Sequence, residues 1–198
     1  FTIAPKTVGL EWGTETSFEY DGNEHAPTAT ATGLEAEDSC TVTVSGGQTN
    51  WQLQEYTATA ASLSNSNYQL PENPTKEFTI TKRGITVHAK NQEVNLDGEI
   101  ATGVDWMEVT SGTLVNGHSI SAVTVSTEQP TNAAGTYNGA IVVKDAVIMN
   151  GTEDVTQNYY CSYSPGDLTV KKAKAKVTTV PVANDRVYDG LETDLLTG

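Results

Sequence analysis

Apolar and hydroxyl-bearing residues alternate along this chain with a period of two. In Cys40-Thr41-Val42-Thr43-Val44 the two valines fall on one face and the threonines on the other. Tyr56-Thr57-Ala58-Thr59-Ala60 and Glu77-Phe78-Thr79-Ile80-Thr81 do the same, as do Ile85-Thr86-Val87, Ile120-Ser121-Ala122-Val123-Thr124-Val125, Ala140-Ile141-Val142-Val143 and Leu168-Thr169-Val170. The pattern predicts half-buried strands at these places. Gly46-Gly47, Pro71-Glu72-Asn73-Pro74, Asn116-Gly117, Asn150-Gly151 and Pro165-Gly166 punctuate them. No segment longer than about one turn carries the 3.6-residue period of a helix. Short strands at this spacing suit a β-sandwich.

The pattern also restarts. Phe1-Thr2-Ile3, Phe78-Thr79-Ile80 and Leu168-Thr169-Val170 are versions of one phrase. Asp21-Gly22, Asp97-Gly98 and Asp189-Gly190 follow these markers by 20, 19 and 21 residues. A fixed offset predicts repeated modules: residues 1–80, residues 81–172, and the start of a third at 173–198. Each full unit is expected to hold about six to eight strands. Further parallels run inside the units. Thr49-Asn50 precedes Tyr56 as Thr131-Asn132 precedes Tyr137, and Asn67-Tyr68 precedes one marker as Asn158-Tyr159 precedes the next. From Tyr56 to Asn67 is 11 residues, but from Tyr137 to Asn158 is 21. The second unit is therefore expected to carry an insertion near 144–154, a longer loop or a hairpin. The short junctions Thr81-Lys82-Arg83 and Lys171-Lys172-Ala173-Lys174 predict limited freedom between modules. Repetition favours spanning or binding over catalysis, because a catalytic site is normally made once.

Charge narrows the partners. The 198 residues carry 11 Lys and Arg against 25 Asp and Glu, a net charge of −14. That balance disfavours nucleic acid and anionic lipid. The acidity is densest in residues 1–80, with two Lys against eleven carboxylates. No apolar run reaches the length of a membrane span, so no membrane insertion is expected within these residues. The chain opens on Phe1 and stops at Gly198 soon after a third Asp-Gly, which leads to the expectation that it is part of a longer protein. Cys40 and Cys161 fall at non-equivalent places in the two units, so both are expected as free thiols, Cys161 pointing inward.

These motifs resemble the Ig-like tandem repeats of large Gram-positive surface proteins, the MBG or YDG type. The first unit carries the resemblance in Ile3-Ala4-Pro5-Lys6-Thr7-Val8, Tyr20-Asp21-Gly22, Pro27-Thr28-Ala29-Thr30, Tyr56-Thr57-Ala58-Thr59 and Asn67-Tyr68-Gln69-Leu70. The second carries it in 111–118, Thr131-Asn132, Asp154-Val155-Thr156-Gln157-Asn158-Tyr159 and 165–170, and Val187-Tyr188-Asp189-Gly190 opens another. Two departures stand out. Leu96 occupies the place of the Tyr in Tyr-Asp-Gly, and Trp51-Gln52-Leu53-Gln54 replaces a small, Gly-containing turn. The resemblance implies an all-β fold of tandem Ig-like β-sandwich repeats arranged end to end, with β-grasp-like modules as the alternative. It also implies an extracellular place at the cell wall, anchored through regions outside this chain. The role it implies is that of a stalk or adhesion module, with no catalytic residues and no cofactor to carry over. Surface domains of this kind can form Lys–Asn isopeptide bonds, for which Lys6 or Lys90 would be the candidates.

Candidate chemistry is sparse. Asp-Gly is the favoured pair of a two-residue hairpin turn, and one carboxylate is too few for a calcium loop, so hairpin turns and no metal are expected. His25, His88 and His118 have no partner at metal-ligand spacing, and no nucleophile motif accompanies them. Trp12 lies in an alternating stretch and is expected in the core. Trp51 and Trp106 are the candidate binding residues, since rigid aromatics stack on sugar rings and anchor interfaces. The expected role is non-catalytic stalk and adhesion by a monomer. A module binding a host glycan or an extracellular protein through Trp51, Trp106 and the insertion is the alternative, and an accessory domain of a secreted enzyme is a third possibility.

Overall fold

The computed structural model describes residues 3–174 and, beyond them, only the backbone of the short pair Val182–Ala183 and Leu196–Thr197. The expected third unit, with Tyr188-Asp189-Gly190, lies otherwise outside the described residues. The fold is all-β: the described residues contain strands, turns and two single 3₁₀ turns, and no α-helix.

Eight strands come first: β1 (Lys6–Thr7), β2 (Gly9–Trp12), β3 (Ser17–Glu19), β4 (Ala29–Thr32), β5 (Val42–Ser45), β6 (Tyr56–Leu63), β7 (Tyr68–Gln69) and β8 (Thr75–Thr81). Eight more follow: β9 (Arg83–Ala89), β10 (Gln92–Asn95), β11 (Met107–Ser111), β12 (His118–Ser126), β13 (Gly135–Asn150), β14 (Glu153–Asp154), β15 (Tyr159–Ser164) and β16 (Gly166–Lys171). The 3₁₀ turns are Val104–Trp106 and Thr156–Asn158.

One pairing scheme occurs twice. Among β1–β8 a sheet runs β3-β8-β6-β5, and among β9–β16 a sheet runs β10-β16-β13-β12. In both, the first strand of the path lies parallel to its neighbour and the other pairs are antiparallel. The opposing layer is β11-β9-β15, with β15 parallel to β9. Its earlier counterpart is split, because the chain breaks at Val8: β2 pairs β4 antiparallel and β1 pairs β7 parallel. Among the described residues no strand of β1–β8 pairs with one of β9–β16.

Period-two burial follows from the alternation. Phe78 and Ile80 on β8, Ile85, Val87 and Ala89 on β9, Ile141 and Val143 on β13, and Leu168 and Val170 on β16 are all buried. The intervening Thr79, Thr86 and Thr169 are half-buried, and Val142, between Ile141 and Val143, is exposed. These residues form one apolar cluster that extends across both groups of strands, with Tyr20, Ala58 and Tyr159 as members. Val8, Ala31 and Tyr68 form a smaller second cluster at the far end of β1–β8. Burying an aliphatic or aromatic side chain contributes about 1.5–3 kcal/mol, so the shared cluster is the main adhesive of the molecule.

One expectation changes here and another is resolved. Asp21-Gly22 and Asp97-Gly98 are not hairpin turns. β3, before Asp21-Gly22, pairs with β8, whereas β4, after it, pairs with β2 in the other layer. β10 and β11 flank Asp97-Gly98 in the same way. The chain needs a tight change of direction between layers, and Asp-Gly supplies it through positive φ at Gly22 (83°) and at Asp97 (61°). Of the two forms expected for the insertion, a longer loop or a hairpin, the chain forms the hairpin. The insertion lengthens β13 to 16 residues and ends in that hairpin, with Met149 opposite Asp154 and Asn150 opposite Glu153.

Candidate functional site

The Trp51 turn and Asn158, just after the insertion, lie 107 residues apart in sequence, and they meet. The Trp51 backbone N–H donates to Asn158 Oδ1 at 2.8 Å, and Asn158 Nδ2 donates to Asn50 Oδ1 at 2.9 Å. Asn158 sits just after the insertion, is 1% exposed, and spends its amide across the junction of the two strand groups. Strand order explains its position. The turn Thr156–Asn158 delivers the chain into β15, whose first residue pairs with Arg83 at the start of β9.

Further contacts close the same junction. Arg83 Nε and Nη2 bind the carbonyl and hydroxyl of Thr113 at 2.6 and 2.8 Å. Its Nη1 reaches Glu19 Oε1 at 3.2 Å and the Tyr20 carbonyl at 3.4 Å. The Tyr20 and Tyr159 rings meet edge to face, 5.7 Å between centroids. The Lys82 ammonium stands 3.9 Å over the Trp51 ring. Burial holds the phenols of Tyr20 and Tyr159 above their ordinary pKa. Neutral rings therefore pack at this interface at physiological pH.

Tyr159 shows how the motif is built. Its hydroxyl accepts from the Val115 N–H at 3.0 Å and lies 2.8 Å from His118 Nδ1. Tyr68, in the same place in the earlier group, accepts from the Glu35 N–H at 2.9 Å and donates to Asp38 Oδ2 at 2.6 Å. The Tyr of each Asn-Tyr pair thus ties a loop to the sheet. The Asn differs: Asn67 is exposed, whereas Asn158 is spent on Asn50 and Trp51.

Beside these contacts lies a cleft of about 610 Å³, open to solvent and bounded by both strand groups. Residues 20–23 and 49–50 form one wall; Arg83, 114–116, His118 and the hairpin residues Asn150, Glu153 and Val155 form the other. Gly22 faces Val115 so closely that an added Cβ would lie 3.0 Å from its Cγ1. Asp21 is engaged internally, taking the Asn23 N–H at 2.8 Å, Asn23 Nδ2 at 3.0 Å and His25 Nε2 at 2.8 Å. Those hydrogen bonds, the Asn23 side chain's foremost, lower its pKa to about 2. Comparison with family models, curated proteins and solved structures finds no match for this chain.

Trp51 and Trp106 are not brought together. Trp51 is half-buried under Lys82 at the junction, and Trp106 ends the first 3₁₀ turn and packs on the core, its carbonyl accepting from the Lys90 N–H at 3.0 Å. Neither lines the cleft. Trp12 is half-buried and packs against the core. Both cysteines are free, and Cys161 packs on the core, with its thiol pKa raised by burial. His88 Nδ1 lies 2.9 Å from Ser164 Oγ. Lys6 pairs with Glu35 at the surface and Lys90 Nζ binds the Asp105 carbonyl, so neither meets the buried Asn and acid that an isopeptide bond requires. Among the described residues no three His, Cys, Asp or Glu converge as metal ligands.

Sequence reasoning marked the insertion and the Trp51 turn but missed Asn158, Arg83, Asn116, Asn150 and Glu153 as a group. The available signal was the single length difference between the two units, which lies directly before Asn158.

Proposed function

We propose that this chain is a non-catalytic spacer and adhesion segment of a bacterial surface protein, in which two Ig-like β-sandwich units, 1–80 and 81–172, are held end to end at a fixed angle. The observation that carries it is the junction. A spacer must transmit orientation as well as length, and this junction has a shared apolar cluster, a buried bridging amide and an arginine clamp. A linker meant to swivel would have solvated polar residues instead. The recurrence of one pairing scheme supports the two-unit organisation. The acidic surface keeps such a segment soluble and self-repelling. The surface location and the Ig-like class rest on the motif resemblance.

Double electron–electron resonance tests the central point. With Cys40 and Cys161 replaced by Ser, nitroxides at exposed Thr57 and Glu108 are expected to give one narrow distance distribution. A broad distribution in the otherwise unaltered chain would overturn the rigid-spacer function. Antibody detection of the native protein in the cell-wall fraction tests the location separately.

A further inference from the structure

We propose that the junction cleft binds a saccharide of one or two rings, and that occupancy locks the two units together. The inference goes beyond the spacer role, which holds whether or not the cleft is filled.

Four observations carry it. The volume, about 610 Å³, falls inside the range of roughly 300–1,000 Å³ that holds small organic ligands. The hairpin made by the insertion supplies Asn150 and Glu153, so the one strand that has no counterpart among β1–β8 forms a wall of this cleft. A spacer alone has no need of that strand. The side chains of Asn116, Asn150 and Glu153 border the same space, are exposed, and make no hydrogen bond within the described residues, so all three are free to meet a ligand. Both strand groups supply walls, so a ligand touching both would favour their present orientation through binding linkage.

The donor set selects the ligand class. Arg83 is the cation of the cleft, and Thr113, Glu19 and the Tyr20 carbonyl already occupy its guanidinium; with Asp21 and Glu153 nearby, a phosphate or carboxylate would be repelled. A divalent cation would compete with Asn23 and His25, which already take three of the roughly four acceptor sites of Asp21. A protonated organic amine would satisfy Glu153 but would offer no acceptor to the amide N–H groups of Asn116 and Asn150. Sugar hydroxyls both donate and accept, as the side-chain amides of Asn116 and Asn150 do, and a carboxylate such as Glu153 accepts from adjacent hydroxyls. Leu114 and Val115 offer apolar surface for the C–H face of a ring.

Saturation-transfer difference NMR on the whole chain tests this with methyl glycosides of glucose, galactose, mannose and N-acetylglucosamine, and with maltose, cellobiose and lactose. Each is used at about 10 mM, some tenfold above a millimolar Kd. At least one probe is expected to show transfer, reduced tenfold or more in Asn116→Ala/Asn150→Ala. Glu153→Gln, a single exposed substitution, serves as the second variant and is expected to weaken transfer several-fold. That same probe should further narrow the spin-label distance distribution. Absence of transfer from every probe, or transfer unchanged in both variants, would overturn the proposal while leaving the rigid junction intact.

Discussion

Replacing Asn158 with Ala isolates the junction brace. The side chain is 1% exposed and makes two hydrogen bonds, to the Trp51 N–H and to Asn50 Oδ1. Asn50 is exposed, so water can replace the amide there at little cost. The half-buried Trp51 N–H cannot be rehydrated as easily, and stranding such a donor costs about 1–3 kcal/mol. With the lost bonds and the small void added, the expected destabilisation is about 2–3 kcal/mol, or a fall in Tm of about 4–12 °C for a body of this size. Asn67→Ala is the internal control. Asn67 leads into β7 as Asn158 leads into β15, but its side chain is exposed, so its removal should cost within about 0.5 kcal/mol. Calorimetry and urea titration followed by Trp fluorescence measure both variants. Asn158→Ala should also broaden the spin-label distribution, which Asn67→Ala should not. Equal small losses in the two variants would refute the brace.

Three other outcomes can be checked on the same protein. Gly22→Ala should cost about 1–2 kcal/mol in a thermal melt, because φ is +83° there and the new Cβ meets Val115. Asp21 has its folded pKa depressed from 3.8 to about 2, so it stabilises the fold above its unfolded pKa, and that contribution is lost as pH falls from about 4 towards about 2. Its side chain is 39% exposed, which limits the effect to less than about 1 kcal/mol; Asp21→Asn should flatten that part of the acid-denaturation curve. Burial raises the Cys161 thiol, so iodoacetamide should alkylate it at least several-fold more slowly in the native than in the urea-unfolded protein, by peptide mass spectrometry. Equal rates would show the site to be open.

Residues with strong local signals were legible without tertiary information. The Val42–Val44, Phe78–Ile80, Val87 and Leu168–Val170 alternations appear as strands because a pleated backbone sorts neighbours to opposite faces whatever it packs against. The weaker strands were not legible: β10 is Gln92-Glu93-Val94-Asn95, mostly polar, and it exists because β16 offers it a parallel edge. The Asp-Gly turns show the same limit. Their local geometry was readable, but whether the next strand pairs with the last or crosses to the other layer depends on partners distant in sequence.

The candidate site divides along the same line. The chain alone determined an all-β fold, a recurring pattern, and one length difference together with one Trp-bearing turn that break the recurrence. Periodicity and turn chemistry act over a few residues, so they are written locally. Only the tertiary structure decided that those two irregularities face each other, that Asn158 bridges them, and that a cleft opens beside the bridge. Such contacts join residues more than a hundred positions apart, and their energy depends on burial and alignment that no local pattern records.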